Sequence, residues 1–298
     1  MILWTVALAA LAAAALLSYI VIRYVPIIER NAFNIPRHQV PENHRPAAAL
    51  KPVAVHIPDL EPFEAYCISK QNKPRCVVVF CHETGANWES WVKHAAFLPE
   101  EGIDVLAFDI DDRAVIYQWP SLEEAGRVRA AIEWASRHAP GVPIVLFGIS
   151  KGSAIAAAND HPEVKGFILD GAFSTRLTLE RYIKKWAGIY VGSDVVAKYI
   201  PGWLLGLLSR LALHYARFLK QRQFFSIETY IRRVQKPVLF IHAENDPFVR
   251  QEEIDAIRKT IPAKTELWVA RNAGHSESVE AQPDEYHARV LEFLKRNT

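Results

Sequence analysis

Three residues far apart in the chain have the types and the order needed to activate a hydroxyl. Ser150 lies in Gly148-Ile149-Ser150-Lys151-Gly152, Asp246 in HAENDPFV at 242–249, and His275 in NAGH at 272–275. A serine hydroxyl is a poor nucleophile at neutral pH. It attacks a carbonyl carbon once an imidazole takes its proton, and a carboxylate must hold that imidazole in the right tautomer. The expected chemistry is acyl transfer to Ser150, followed by release to water. Rivals exist for the acid: Glu244 lies two residues before Asp246, and Asp170 ends an apolar run. Of eleven histidines, His275 has the loop setting, with Gly274 before it and small neighbours. His138 and His287 fall in predicted helices and read as surface residues, and His242 reads as a satisfied core histidine. The oxyanion of the intermediate needs two preorganised N–H donors. Lys151, directly after the nucleophile, supplies one by position. The loop H-E-T-G-A-N-W at 82–88 supplies the other, with Thr84 ahead of Glu83.

A bare G-x-S-x-G is weak evidence, so the elements around it carry the reading. The apolar run Ile144–Phe147 predicts a strand that turns at Ser150 into an Ala-rich helix, Ser153–Asn159. Gly148 and Gly152 permit strand and helix to approach closely in such a turn. Short apolar runs alternate with helical spacing from residue 51 onward, which predicts an α/β fold with a mostly parallel sheet covered by helices. Lys51–Ile57 and Phe63–Ser69 read as an opening antiparallel pair. Cys76–Cys81, Val105–Phe108, Ile144–Phe147, Phe167–Leu169, Val238–His242 and Thr265–Val269 make up a predicted eight strands. Trp91–Pro99, Leu122–His138, Glu252–Thr260 and Pro283–Lys295 have helical spacing. Asp246 and His275 therefore follow strand C-terminal ends and can converge on Ser150. Residues 172–235 break the alternation, lack a convincing strand, and read as a helical lid inserted in the domain 51–298.

The segments CHETG, FGISKG, DGAFST, FIHAENDPFV and NAGH, in that order, resemble the α/β-hydrolase superfamily, in particular membrane-anchored bacterial hydrolases with a helical lid. The resemblance covers about residues 51–298. It implies that Ser150, Asp246 and His275 form the triad, and that the activity is hydrolysis of an ester, thioester or amide. Two departures stand out. Glu83 follows His82 where most relatives have Gly, and a carboxylate there opposes a developing oxyanion if it points inward. The loop after Asp109 reads I-D-D-R in place of Gly and Ser.

The chain has 298 residues, 50% hydrophobic and 23% charged, enough for a sizeable core. Its net charge of +2 gives no reason to expect nucleic acid. Cys67, Cys76 and Cys81 lack metal-ligand spacing and read as small apolar core residues, and the expected chemistry needs no metal or cofactor. From Ile2 to Ile22 no residue is charged. Twenty-one residues at about 1.5 Å each span about 31 Å, enough for a hydrocarbon core of roughly 30 Å. No Lys or Arg precedes this run, which argues for an uncleaved anchor at 1–24 over a signal peptide. Arg23, Arg30, Arg37 and Arg45 follow it, and the positive-inside rule then places the domain in the cytoplasm. Residues 25–50, with four prolines, read as a tether. Residues 172–235 hold eleven Lys/Arg against three Asp/Glu, a balance of +8 that leaves −6 for the rest. A solvated basic face is one reading. The other is that this aromatic, basic insertion rests on the anionic cytoplasmic leaflet and admits lipid-like acyl substrates.

Overall fold

The computed structural model describes residues 2–35, 52–58, 62–70, 73–111, 116–192 and 198–298. Lys51, most of the expected tether (36–50), and Asp112 and Arg113 of the I-D-D-R loop lie outside the described residues. The chain divides into two compact units, 1–34 with 176–224, and 35–175 with 225–298.

The second unit is built on eight strands: β1 (Val53–Ile57), β2 (Phe63–Ile68), β3 (Cys76–Cys81), β4 (Ile103–Phe108), β5 (Ile144–Ile149), β6 (Val164–Asp170), β7 (Val238–Ala243) and β8 (Thr265–Ala270). Their order across the sheet is β1-β2-β4-β3-β5-β6-β7-β8. β2 runs antiparallel to both its neighbours, and every other pairing is parallel. Every side chain of β3, β5 and β7 is buried, as strands covered on both faces require. Alternation sends Val77, Val79 and Cys81 into one apolar core and Cys76, Val78 and Phe80 into the other. All three cysteines are free thiols, and burial pushes Cys67 up to about 11 and Cys76 up to about 12.

This topology fixes where a site can form. The chain leaves β3 on one side to make β4, then returns to β3's other side to make β5. The loops after β3 and β5 therefore diverge and leave a crevice at the strand C-terminal ends. His82–Asn87 follow β3 there, and Ser150 follows β5.

The first unit differs from the sequence reading in extent. The N-terminal helix runs from Ile2 through Pro26 to Ala32, so the first part of the expected tether is helical. Its apolar stretch has a mean hydropathy of 2.4 and is not buried, unlike the core helix of a soluble protein, and it is long enough to cross a membrane. Val25, Ile28 and Phe33 are buried instead, where the end of this helix packs on the helix Gly202–Lys220. Lys220 Nζ stands 3.1 Å from Glu29 Oε1, and the Phe33 and Phe224 rings are 5.8 Å apart.

The insertion is also shorter than the 172–235 expected. Ala172, Phe173, Ile227, Ile231 and Val234 belong to the core of the sheet unit. Of the described residues, those from Arg176 to Phe224, with most of the helix Thr175–Val191 and all of Gly202–Lys220, fall in the other unit. Glu228 joins the two ends of the insertion: its carboxylate accepts from Ser174 Oγ at 2.6 Å and Thr175 Oγ1 at 2.5 Å.

Candidate active site

Ser150 joins β5 to the helix Lys151–Ala157 with φ 51° and ψ −114°. A non-glycine residue pays a strain cost of about 1–3 kcal/mol for such a conformation, so its surroundings must hold it. They do so through backbone bonds. Ser150 N–H donates to the Asp170 carbonyl at 2.8 Å, and Ser153 Oγ donates to the carbonyls of Gly148 (2.7 Å) and Asp170 (3.0 Å). The two glycines are sterically required, though for different neighbours. A Cβ on Gly148 would lie 2.6 Å from Ser153 Cα. One on Gly152 would collide with the Cys81 carbonyl and stand 2.6 Å from that of His82. Gly152 thus serves contact with the end of β3 more than contact with β5.

The structure brings the three predicted residues together. Ser150 Oγ is 2.8 Å from His275 Nε2, and His275 Nδ1 is 2.6 Å from Asp246 Oδ2. Asp246 follows β7 in a turn whose amides reach back: Phe248 and Val249 donate to its Oδ1 at 2.8 and 2.9 Å. Burial pushes the Asp246 carboxyl up, but the hydrogen bond and charge of His275, aided by those two amides, outweigh it and hold the pKa below the usual carboxylate range. An ionised Asp246 accepts from Nδ1–H, which leaves Nε2 as the acceptor facing Ser150. His275 follows β8 in a turn with Ser276 at φ 59°. Gly171, itself at φ 62°, makes room for the ring: a Cβ there would be 3.2 Å from His275 Cε1.

The rival acids are engaged elsewhere. Glu244 Oε2 accepts from the Asn272 amide at 3.0 Å. Asp170 Oδ2 accepts from Tyr286 OH at 3.0 Å, and burial raises its pKa to about 7. His242 is buried as expected but is not satisfied: its Nδ1 has no hydrogen-bond partner among the described residues, and burial lowers its pKa.

Thr84 is half-buried in a turn closed by Ala86 N–H to the Glu83 carbonyl. His82 braces that loop, its Nδ1 2.7 Å from the Glu83 carbonyl oxygen and its Nε2 accepting from Ile110 N–H at 3.0 Å. Glu83 Oε2 accepts from Ser90 Oγ at 2.6 Å. Lys151, as the first residue of its helix, has an amide with no intrahelical acceptor.

Sequence reasoning missed the roles of three supporting side chains, those of Lys151, Glu124 and Phe248. The Lys151 side chain is buried, with Nζ 2.7 Å from Glu124 Oε1 and 2.9 Å from the Tyr117 carbonyl. Glu124 also completes a capping box with Ser121 at the start of the helix Leu122–His138. The S-L-E-E pattern at 121–124 signals that box, though nothing local pairs it with Lys151. Phe248 sets its ring edge-on to the His275 ring at 5.4 Å, in a run that carried only the acid in the sequence reading.

A mostly parallel sheet of this strand order, with Ser150, Asp246 and His275 following β5, β7 and β8, is the α/β-hydrolase fold. Comparison with solved structures agrees. The chain is similar to an esterase from Pyrococcus furiosus at 22% identity and TM-score 0.61, covering 90% of this chain and 98% of that one. It is similar to an α/β-hydrolase from a Penicillium species at 18% identity and TM-score 0.55, covering 83% and 99%. It is also similar to a membrane phospholipase A described as a bacterial virulence factor, at 20% identity and TM-score 0.56, covering 100% and 99%. No family model matches the chain, and no curated protein matches it by sequence. Likeness at these identities establishes the fold.

Proposed function

We propose that this chain is a membrane-anchored serine hydrolase that cleaves carboxylic ester bonds, with thioesters and amides as related substrates. The observation that carries the reading is the unbroken relay from Ser150 Oγ through His275 to Asp246, at 2.8 and 2.6 Å. Ser150 Oγ attacks the acyl carbon as its proton passes to His275 Nε2, and Asp246 stabilises the imidazolium. The N–H groups of Lys151 and Thr84 receive the oxyanion. His275 then gives its proton to the leaving alkoxide, and the alcohol departs. Water, deprotonated by the same nitrogen, attacks the acyl-enzyme and frees the acid. Each step uses only these groups and water.

The N-terminal helix supplies the anchor, and the arginines after its apolar run favour the cytoplasmic side. The similarity to a membrane phospholipase A supports phospholipid acyl esters as candidate substrates. Glu83, beside the proposed donor Thr84, would argue for a catalytically idle binding protein if its carboxylate faced the oxyanion. The hydrogen bond from Ser90 supports the catalytic reading instead.

A fluorophosphonate probe tests the nucleophile. Wild type should be labelled and Ser150→Ala should not; an unlabelled wild type, or labelling that survives the substitution, overturns the assignment. A series of p-nitrophenyl esters of increasing chain length then sets the substrate class. Faster turnover of aminoacyl anilides than of any ester would replace the esterase reading with an aminopeptidase, and acyl transfer to added alcohols outrunning hydrolysis would replace it with an acyltransferase.

A further inference from the structure

The helical unit carries features that hydrolysis does not use. Among the described residues, the exposed large apolar side chains lie on this unit with three exceptions, Val53, Leu122 and Phe248. Those on the insertion include Tyr190, Tyr199, Trp203 and Phe218, with Trp203 at 66% and Phe218 at 81% exposure. Such a density of exposed aromatic surface marks a contact with something apolar. The same unit holds eleven Lys/Arg against three Asp/Glu, so it bears +8 and the remainder −6.

The packing inside the unit gives this surface a level. Side chains from Trp4 to Ile22 of the N-terminal helix are largely exposed, while from Val25 to Phe33 the chain is packed on the insertion. The exposed part is about the thickness of a hydrocarbon core. The insertion therefore grips the helix just past the apolar span, where Arg23 marks the change to polar sequence. That is headgroup depth, where Trp, Tyr and cationic side chains are favoured. The helix Gly202–Lys220 is amphipathic in the matching sense. Leu205, Leu208, Ala212 and Ala216 are buried, and Trp203, Arg210, His214, Arg217 and Phe218 are exposed. Beside its end, an open cavity of about 630 Å³ is lined by His214, Arg217, Phe218 and Arg222.

We infer that the insertion is an interfacial surface that engages anionic phospholipid headgroups, a second membrane contact distinct from the anchor. A membrane fits better than a protein partner because basic, aromatic and apolar residues are exposed together on the unit that carries a helix long enough to span. The occupant's chemistry is a phosphate-bearing lipid with net negative charge, its headgroup against Lys185, Lys198, Arg210 and Arg217. The inference stands apart from the triad and rests on the anchored reading only for the depth at which the surface lies.

Tryptophan quenching by brominated lipids separates these claims. The full chain is reconstituted in brominated phosphatidylcholine vesicles, with and without phosphatidylglycerol, and compared with Trp4→Phe and Trp203→Phe to isolate each residue's signal. Trp4 should be quenched in both vesicles, and Trp203 only in the anionic ones. The Trp203 signal should recover on raising salt, and in Arg210→Gln/Arg217→Gln. Each cation lost should weaken the contact roughly fivefold, the equivalent of about 1 kcal/mol near a charged leaflet. Quenching of Trp203 that is equal in both vesicles, or absent from both while Trp4 is quenched, overturns the inference. Loss of Trp4 quenching with anionic-specific Trp203 quenching retained overturns the anchor alone. The salt titration compares the unaltered chain with Trp203→Phe, which alters only a ring 66% exposed, so misfolding of a charge variant cannot decide the result.

Discussion

At the scale of single residues, the buried carboxyls of Asp246 and Asp170 differ because their environments differ. Asp246 accepts three hydrogen bonds, from His275 Nδ1 and the amides of Phe248 and Val249, and stays ionised. Asp170, at the end of β6, is fully buried, accepts from Tyr286 OH at Oδ2, and its Oδ1 has no hydrogen-bond partner among the described residues. An ionised acid that accepts from Nδ1–H is the one that can fix the tautomer. Asp246→Asn should therefore lower kcat by on the order of 10⁴-fold while leaving fluorophosphonate labelling detectable but slow. Asp170→Asn should cost far less. Steady-state kinetics on both variants checks the assignment, and it fails if Asp170→Asn gives the larger loss.

At the scale of elements, the elbow is held from below by a buried ion pair. Lys151 and Glu124 join the first turn of the helix after Ser150 to the first turn of Leu122–His138, with both side chains 1% exposed. Removing one partner strands a buried charge, and typically costs about 3–5 kcal/mol. Glu124→Gln should lower stability on that scale and reduce kcat more than it raises KM, because the Lys151 amide moves with its side chain. The double variant Lys151→Met/Glu124→Leu should recover most of the stability, short of about 1 kcal/mol for the lost cap. Denaturant midpoints and initial rates on the three proteins measure this, and a double variant less stable than Glu124→Gln would remove the stranded-charge explanation. The same pair illustrates what the sequence reveals and hides. Continuous apolar runs mark the central strands β3 to β7, because burial on both faces writes itself into consecutive residues; β1, β2 and β8, toward the sheet's edges, are only partly buried and signal more weakly. Ser150, Asp246 and His275 were legible because each follows a strand, among small or turn-forming neighbours. Lys151–Glu124 and Asp170–Tyr286 were not, since residues 27 and 116 positions apart meet only through packing. The extension of the N-terminal helix through Pro26 was hidden for a similar reason: prolines argue locally for a tether, and burial of Val25, Ile28 and Phe33 overrides them.

At the scale of the whole molecule, the opposed shifts of the two carboxyls divide the pH dependence of stability into two windows. The folded pKa of Asp246 lies below its unfolded value, so its contribution is present above the unfolded pKa and is lost as pH falls through the folded one. Asp170 has the opposite sign. Its folded pKa of about 7 exceeds the ordinary value of 3.8, so the folded state holds a proton that the unfolded chain releases between those values. Stability from this group is complete below about pH 4 and is withdrawn as pH rises to about 7, by on the order of 4 kcal/mol in all. An asparagine keeps an oxygen to accept from Tyr286 OH and has no proton to lose. Asp170→Asn should therefore flatten the slope of stability between about pH 4 and 7, and should make the protein more stable than wild type at pH 8. The acid limb below pH 4, to which Asp246 and Glu266 contribute, should remain. Denaturant unfolding of the detergent-solubilised chain across that range measures both limbs. If wild type and Asp170→Asn have parallel profiles, Asp170 does not carry the raised pKa, and the slope between about pH 4 and 7 belongs to another group.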